Sequence, residues 1–556
     1  MTLRANQLSR LPEIEHDVLI IGGGINGAVA AAALAGRGSK VALIDKRDFA
    51  GFTSQHSSNL AWGGIKYMES YDFRLVRELC KSRNHLIENY PSVVQEIRFF
   101  ATIRRGFRWH PLFLWMGAWL YWLIGSGFTR TPRLLSRSQI QREEPVVNAD
   151  NALGGFEYSD AYLYDNDARF VWRFIRSAMD AGCVAANYVE SLGSRRESGF
   201  WVTRAREVLS GREFEIRSRV LINAAGPFVD EHNKLSDQTT RHHHLYSKGI
   251  HLIVDRITPQ RRVLAFFADD GRLFFVIPMG PKTCIGTTDT RVEDPISEVT
   301  PEDRKFVLDN INKCLKLQNP LTEADIIAER CGVRPLAIES SGENARDFLQ
   351  LSRKHAVDVN ETDRHMSIFG GKLTDCINVG DEICEFVQQL GVTIPEPTRK
   401  WYGEAPAEVK ADYLRRAAEI DLDSYTPETS SEQLTQRLWR RYGAEAIQMV
   451  EAIRQDPRQA ELLIDGTEYL RCEIRQAAER EMIVKLEDFL RRRSKISLVV
   501  RREDIRDAQG LKEACEILFG DQARAKFEEY FIGQPPVGVV MPETESEEAL
   551  SESLNW

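Results

Sequence analysis

The sequence predicts an α/β protein, α+β overall, that ends in a helical region. Three observations carry this. The apolar run Asp17-Val18-Leu19-Ile20-Ile21 feeds directly into Gly22-Gly23-Gly24. An Ala-rich segment and a second apolar run follow it at once. From about residue 397 the texture changes to charge-dense stretches of helical period with few strand-like runs.

The first apolar run reads as a buried parallel strand that ends in a tight turn. Ile25-Asn26-Gly27 opens an Ala-rich helix closed by Gly36 and Gly38, and Lys40 to Asp45 reads as the next strand. This is a βαβ unit. Gly22, Gly24 and Gly27 have the GxGxxG spacing. Gly22 permits the turn, Gly24 lets a diphosphate approach the backbone, and Gly27 lets helix pack on strand. The helix N-terminus then presents free N–H groups to the anion. Asp45 ends the second strand, where a carboxylate can accept from a ribose hydroxyl, and Lys46 follows it. Leu221 to Pro227 is a strand running into a small-residue turn at Ala225-Gly226, and Phe369-Gly370-Gly371-Lys372-Leu373-Thr374 is a further glycine turn opening a helix. Three separated segments converging on one dinucleotide suit a long, buried flavin better than an exchangeable nicotinamide.

The 556 residues are 43% apolar and 28% charged, which is ample for several cores and excludes a disordered or collagenous chain. Lys plus Arg is 73 and Asp plus Glu is 82, a formal charge of −9, so no nucleic-acid partner is expected. The nine cysteines show no CxxC spacing, which predicts buried free thiols rather than disulfides or zinc. No metal site is expected; His242-His243-His244 reads as an incidental run. The N-terminal segment has no apolar signal core. Pro111 to Ile124, PLFLWMGAWLYWLI, is too short at 14 residues for a spanning helix of about 20. Its tryptophans and flanking arginines fit an interfacial anchor over 109–124, and its apolar content equally fits a core helix. Glu473 to Arg493 reads as one amphipathic helix. The terminal ETESEEALSESLNW, within 540–556, reads as a disordered acidic tail.

Taken together the motifs resemble the FAD-dependent glycerol-3-phosphate dehydrogenases, within the D-amino-acid-oxidase-like flavoproteins. The resemblance rests on residues 17–38, SSNLAWGGIKYMESYDFRLV (57–76), GFEYSDAYLYDNDAR (155–169), INAAGPFVD (222–230), IGTTDT (285–290), CGVRPL (331–336) and FGGKLT (369–374). It implies a Rossmann-like FAD-binding domain, an antiparallel-sheet substrate domain and an all-helical cap. The expected division is a discontinuous FAD domain (14–67, 155–240, 335–396), an interleaved substrate domain (68–154, 241–334) and a cap over 397–535. The implied reaction oxidises glycerol 3-phosphate, or a related small anionic secondary alcohol, by hydride transfer to flavin, with quinone as acceptor. The implied setting is cytoplasmic, peripheral on the inner face of the membrane, with a homodimer allowed. The alternatives are an FAD enzyme acting on a non-phosphorylated hydroxy or amino acid, and a catalytically impaired flavin-bearing interaction protein.

Carried across residue by residue, the resemblance makes Arg334 the anchor of the substrate's anionic end, with Lys372, Lys66, Tyr67 and His251 beside it. It makes Asn26, Ser54, Ser57, Ser58, Gly63, Gly64, Gly370, Gly371, Leu373 and Thr374 flavin contacts, together with Gly22, Gly24, Gly27, Asp45, Lys46, Ala225 and Gly226. His56 is expected in a hydrogen-bonding or surface role rather than as a covalent tether. Four positions depart from the family pattern: Asn59 stands for a lysine, Trp62 for a histidine and Lys66 for an arginine, and Asp375 follows the GGKLT turn. Lys66 keeps the charge and loses the planar fork that grips phosphate.

Overall fold

A computed structural model describes residues 2–267, 272–339, 355–428 and 430–533. The predicted tail, 540–556, lies outside them. The βαβ unit forms as His16–Ile21, Ile25–Gly36 and Val41–Asp45. A helix over Leu3–Glu13 precedes it.

Two sheets organise the body. The first runs Ala356–Asn360, His365–Phe369, Glu213–Asn223, His16–Ile21, Val41–Asp45, Val184–Asn187. Its inner pairings are parallel, and the hairpin Val189–Glu197/Phe200–Glu207 is appended. Residues 18–21 and 41–45 are buried almost end to end, as expected of strands covered on both faces. The Ala-rich helix and the helix Cys376–Gln389 pack over this sheet; small Ala side chains let the helix lie close.

The second sheet is mainly antiparallel. Its longest ladders join His242–Asp255 to Ala328–Glu339 and Val94–Arg104 to Ala152–Leu163. Three expected boundaries shift here. Leu60–Ala61 and Ala152–Leu163 pair within the second sheet, and residues 335–339 stay paired to the His242–Asp255 strand, so the edges set at 155 and 335 fall inside strands of this sheet and the edge at 67 leaves Leu60–Ala61 on the wrong side. Continuous ladder hydrogen bonding, invisible in composition, decides these edges.

The C-terminal region is helical and holds two cores, one around Tyr413, Leu438 and Trp439 and one around Ile474, Leu490 and Phe527. Buried ion pairs tie it to the body: Arg440 and Arg441 to Asp165, Arg169 to Glu481, and Arg492 and Arg493 to Asp48. Glu473 to Arg493 is not one helix. A helix spans Arg471–Arg480, the chain turns, and Asp488–Arg493 forms a π-helical turn. Asp488 accepts from the amides of Val484 and Lys485 and from Arg492, and Arg493 reaches Asp48. A straight helix could not deliver both arginines to that buried carboxylate.

The predicted membrane segment is a helix over Pro111–Ile124, begun by Pro111 and capped by the His110 side chain. It packs on the second sheet through Ala118 and Tyr121. The exposed side chains are Leu112, Phe113, Met116, Leu120 and Leu123. At 100° per residue these fall within one sector of ~100°. Trp109 is exposed, but the expectation that tryptophans form the outer face is corrected for the helix itself: Trp115, Trp119 and Trp122 are half-buried, and Trp122 donates to the carbonyl of Thr129 at 2.6 Å. No helix among the described residues is long and apolar enough to cross a membrane.

Candidate flavin and substrate site

The glycine loop is shaped for close approach. Gly22 has φ +104°, and a Cβ there would lie 2.4 Å from the carbonyl oxygen of Ala224. A Cβ on Gly27 would lie 1.8 Å from the Gly22 carbonyl oxygen, so the helix can approach this turn only because residue 27 has no side chain. The amide of Ile25, at the helix N-terminus, donates to the Ser54 hydroxyl at 3.0 Å. Asn26 donates to the carbonyl of Gly370 at 3.0 Å, while its own carbonyl oxygen is buried without a hydrogen-bond partner.

Two cavities flank this loop. The smaller, about 80 Å³, is lined by Gly22, Asp45, Lys46, Phe52, Ala225 and Phe228 among others. Asp45 is buried and accepts from the amides of Gly23 (2.7 Å) and Arg47 (2.9 Å). Burial pushes its carboxyl up to about 6, against the pull of those amides. Lys46 sits 3.5 Å from the centre of the Phe228 ring. The larger cavity, about 500 Å³, is a cleft lined by Ser54, Ser57, Ser58, Trp62, Lys66, Tyr67, Arg334 and Gly370 to Thr374, among others. A small cavity beside Asp45, a helix N-terminus for the diphosphate and a broad cleft for the ring follow one another, so the residues fit FAD. Gly22, Asp45, Lys46 and Ala225 would hold the adenosine end, Gly24 to Gly27 and Ser54 the diphosphate, and Ser57, Ser58 and the 370–374 turn the ring.

The cations of the cleft are held by their neighbours. Arg334 donates to Thr287 Oγ1 at 3.0 Å and lies 3.6 Å from Asp289. Lys372 donates to the Tyr67 hydroxyl at 2.9 Å and stands over its ring. Trp62 forms part of the wall and donates to the Tyr158 hydroxyl at 3.2 Å. His251 does not line the cleft. It is 2% exposed and lies across the ladder from Gly286, whose neighbour Thr287 does line it. Neither ring nitrogen of His251 makes a hydrogen bond, and burial, then Arg330 and Arg334, hold its pKa well below the usual range. His56 borders both the cleft and a neighbouring cavity of about 720 Å³.

Other expected residues sit elsewhere. Gly63 donates to Asp160, which also pairs with Arg83, and its missing Cβ leaves room for the Tyr121 hydroxyl. Neither Gly63 nor Gly64 borders the cleft. Asp375 turns away from it: Ser82 and Asn378 donate to its carboxylate, and His355 lies 3.2 Å away. The three consecutive histidines diverge as strand neighbours must. His242 pairs with Asp358, His243 is exposed, and His244 accepts from the Gly370 amide. Sequence reasoning missed Thr287 and Asp289, which position Arg334; their signal was the TTD run within IGTTDT. It also missed Arg108 and Glu69 at the cleft mouth.

Fold and site together define an FAD-binding oxidoreductase. The family described as FAD dependent oxidoreductase matches residues 17–351, and the C-terminal domain of alpha-glycerophosphate oxidase matches residues 400–517. The aerobic glycerol-3-phosphate dehydrogenase of Bacillus subtilis is 31% identical over 390 residues, 69% of each chain. Glycerol-3-phosphate dehydrogenase 2 of Mycobacterium tuberculosis is 29% identical over 535 residues, 93% of this chain and 87% of its own. The human mitochondrial enzyme is 31% identical over 65% of this chain, which spans about half of that relative's length (51%). The glycerol-3-phosphate dehydrogenase of Bacillus halodurans, solved with FAD, has the same fold: TM-score 0.70 at 24% identity, covering 95% of this chain and 96% of its own. The chain belongs to the FAD-dependent glycerol-3-phosphate dehydrogenase family, and its cofactor is FAD.

Proposed function

We propose that this protein oxidises the secondary hydroxyl of glycerol 3-phosphate to the ketone and passes the electrons on to a quinone at a membrane surface. The observation that carries the reading is the cleft itself. Arg334, Lys372 and Lys66 converge in one cavity with the glycine turns that fit FAD. When bound, FAD supplies the hydride acceptor. The chain's own residues bind and orient. Arg334 offers a planar pair of donors to the anionic end, pre-set by Thr287 and Asp289. Lys372, braced by Tyr67, adds a point charge.

Peripheral attachment through 109–124 is part of the proposal. It is supported by the exposed apolar stripe of the Pro111–Ile124 helix and by Arg105 and Arg108 just before it. A second reading, a non-phosphorylated anionic substrate, is favoured by one feature, the bulky Trp62 in the cleft wall.

Anaerobic titration separates these readings. Bleaching of bound flavin by glycerol 3-phosphate, with turnover on a quinone analogue, supports the first. Bleaching only by a hydroxy or amino acid supports the second. No bleaching by any of them leaves a flavin-bearing interaction protein.

A further inference from the structure

We propose that Arg108 supplies the substrate phosphate with the guanidinium that the family pattern places at position 66. This rests on the phosphorylated substrate proposed above. Among the described residues lining the cleft, four are cationic, Lys66, Arg108, Arg334 and Lys372, and one is acidic, Glu69. Arg334 and Lys372 are half-buried, whereas Lys66 and Arg108 are exposed. Lys66 brings a single ammonium, and a phosphate has several oxygens to satisfy.

The placement of Arg108 is specific. Its Nη2 lies 2.7 Å from Glu69 Oε2, and Glu69 directly follows the turn Ile65–Met68 that carries Lys66 and Tyr67. Glu69 thus parks the guanidinium beside the position where the fork is missing. Both side chains are well exposed, 62% and 46%, so the ion pair costs little to break and a dianion can compete for it. Arg108 comes from a different element than Lys66, the loop just before the Pro111 helix. No sequence spacing links the two; only the fold does.

The test measures flavin bleaching by glycerol 3-phosphate and, independently, the Kd of inorganic phosphate from the bound-flavin difference spectrum. Wild type, Arg108→Ala, Arg108→Lys and Glu69→Gln are compared, all surface changes expected to leave flavin content intact. Arg108→Ala should raise KM and the phosphate Kd about tenfold or more with kcat nearly unchanged, the scale of one charge-assisted hydrogen bond. Arg108→Lys should recover only part of this, and Glu69→Gln should tighten phosphate a few-fold. Unchanged KM and phosphate Kd in Arg108→Ala, or full recovery in Arg108→Lys, would overturn the role of the guanidinium. A wild type not bleached by glycerol 3-phosphate would instead refute the substrate reading.

Discussion

The Pro111–Ile124 helix gives the sharpest test of membrane contact, because its two faces make opposite predictions. Leu112, Phe113, Met116, Leu120 and Leu123 are 45, 52, 51, 44 and 62% exposed. Fully burying such a side chain is worth about 1.5–3 kcal/mol, so covering the exposed part of all five is worth about 4–8 kcal/mol. Replacing Phe113 and Leu123 by Ser removes about 2–3 kcal/mol of that, a ~30- to 150-fold loss of partitioning at roughly 1.4 kcal/mol per decade. Arg105 adds about 1 kcal/mol on an anionic surface, a contribution that salt weakens. The assay is flotation with neutral and anionic vesicles at two salt concentrations. Wild type should float, better on anionic vesicles, and Phe113→Ser/Leu123→Ser should sediment with its flavin and melting temperature unchanged. Trp122→Phe, on the inner face, should instead lower the melting temperature through the lost bond to Thr129 and still float. Equal flotation of wild type and the double variant would refute the assignment of the face, and no flotation of wild type would refute membrane contact.

Arg334→Lys keeps the charge and loses the fork, so kcat/KM on the phosphorylated substrate should fall about tenfold to hundredfold, or ~1.5–3 kcal/mol; full activity would remove Arg334 from the site. Gly27→Ala forces a Cβ to 1.8 Å from the Gly22 carbonyl oxygen and should abolish flavin retention, read as absorbance at the flavin band per protein. His355 is raised from 6.5 to about 9: burial works against the shift, but Asp375 and Glu382 outweigh it. A raised histidine stabilises fully below its unfolded pKa, so the melting temperature should fall as pH rises from about 6.5 through 9, and His355→Gln should flatten that slope. A slope of equal size in the variant would refute this.

What the sequence made legible follows physical range. The βαβ unit and its glycines depend on neighbours a few residues apart, and they form as read. The bounds of the Pro111–Ile124 helix were also local, set by a proline start and an apolar run. Its outward face was not legible, because a helix apolar all round carries no period to orient it; only the sheet beneath it decides. Glu473 to Arg493 kept a helical period on paper, but Asp48, far away in the chain, draws Arg492 and Arg493 into a buried cluster that breaks the helix. Gly63 was expected as a flavin contact from the resemblance and not as packing space for Tyr121, which approaches from another element. The division between sheets failed for the same reason: Leu60–Ala61 is too short to announce its partner.

The four departures from the family pattern look alike in sequence and differ in consequence. Asn59 is buried, donates to the carbonyl of Asp165 at 2.6 Å and accepts from Arg330 at 2.8 Å, so it serves the wall behind the cleft. Asp375 is satisfied by Ser82, Asn378 and His355 and directs no charge at a substrate. A buried polar group with its partners in place has no capacity left for a ligand. Only Trp62 and Lys66 border the cleft. Trp62 ties its one N–H to Tyr158, which leaves its ring to set the shape of the wall and nothing polar to offer the substrate. The chemistry of recognition therefore changes at a single position, Lys66, which stands at the mouth beside Glu69 and Arg108.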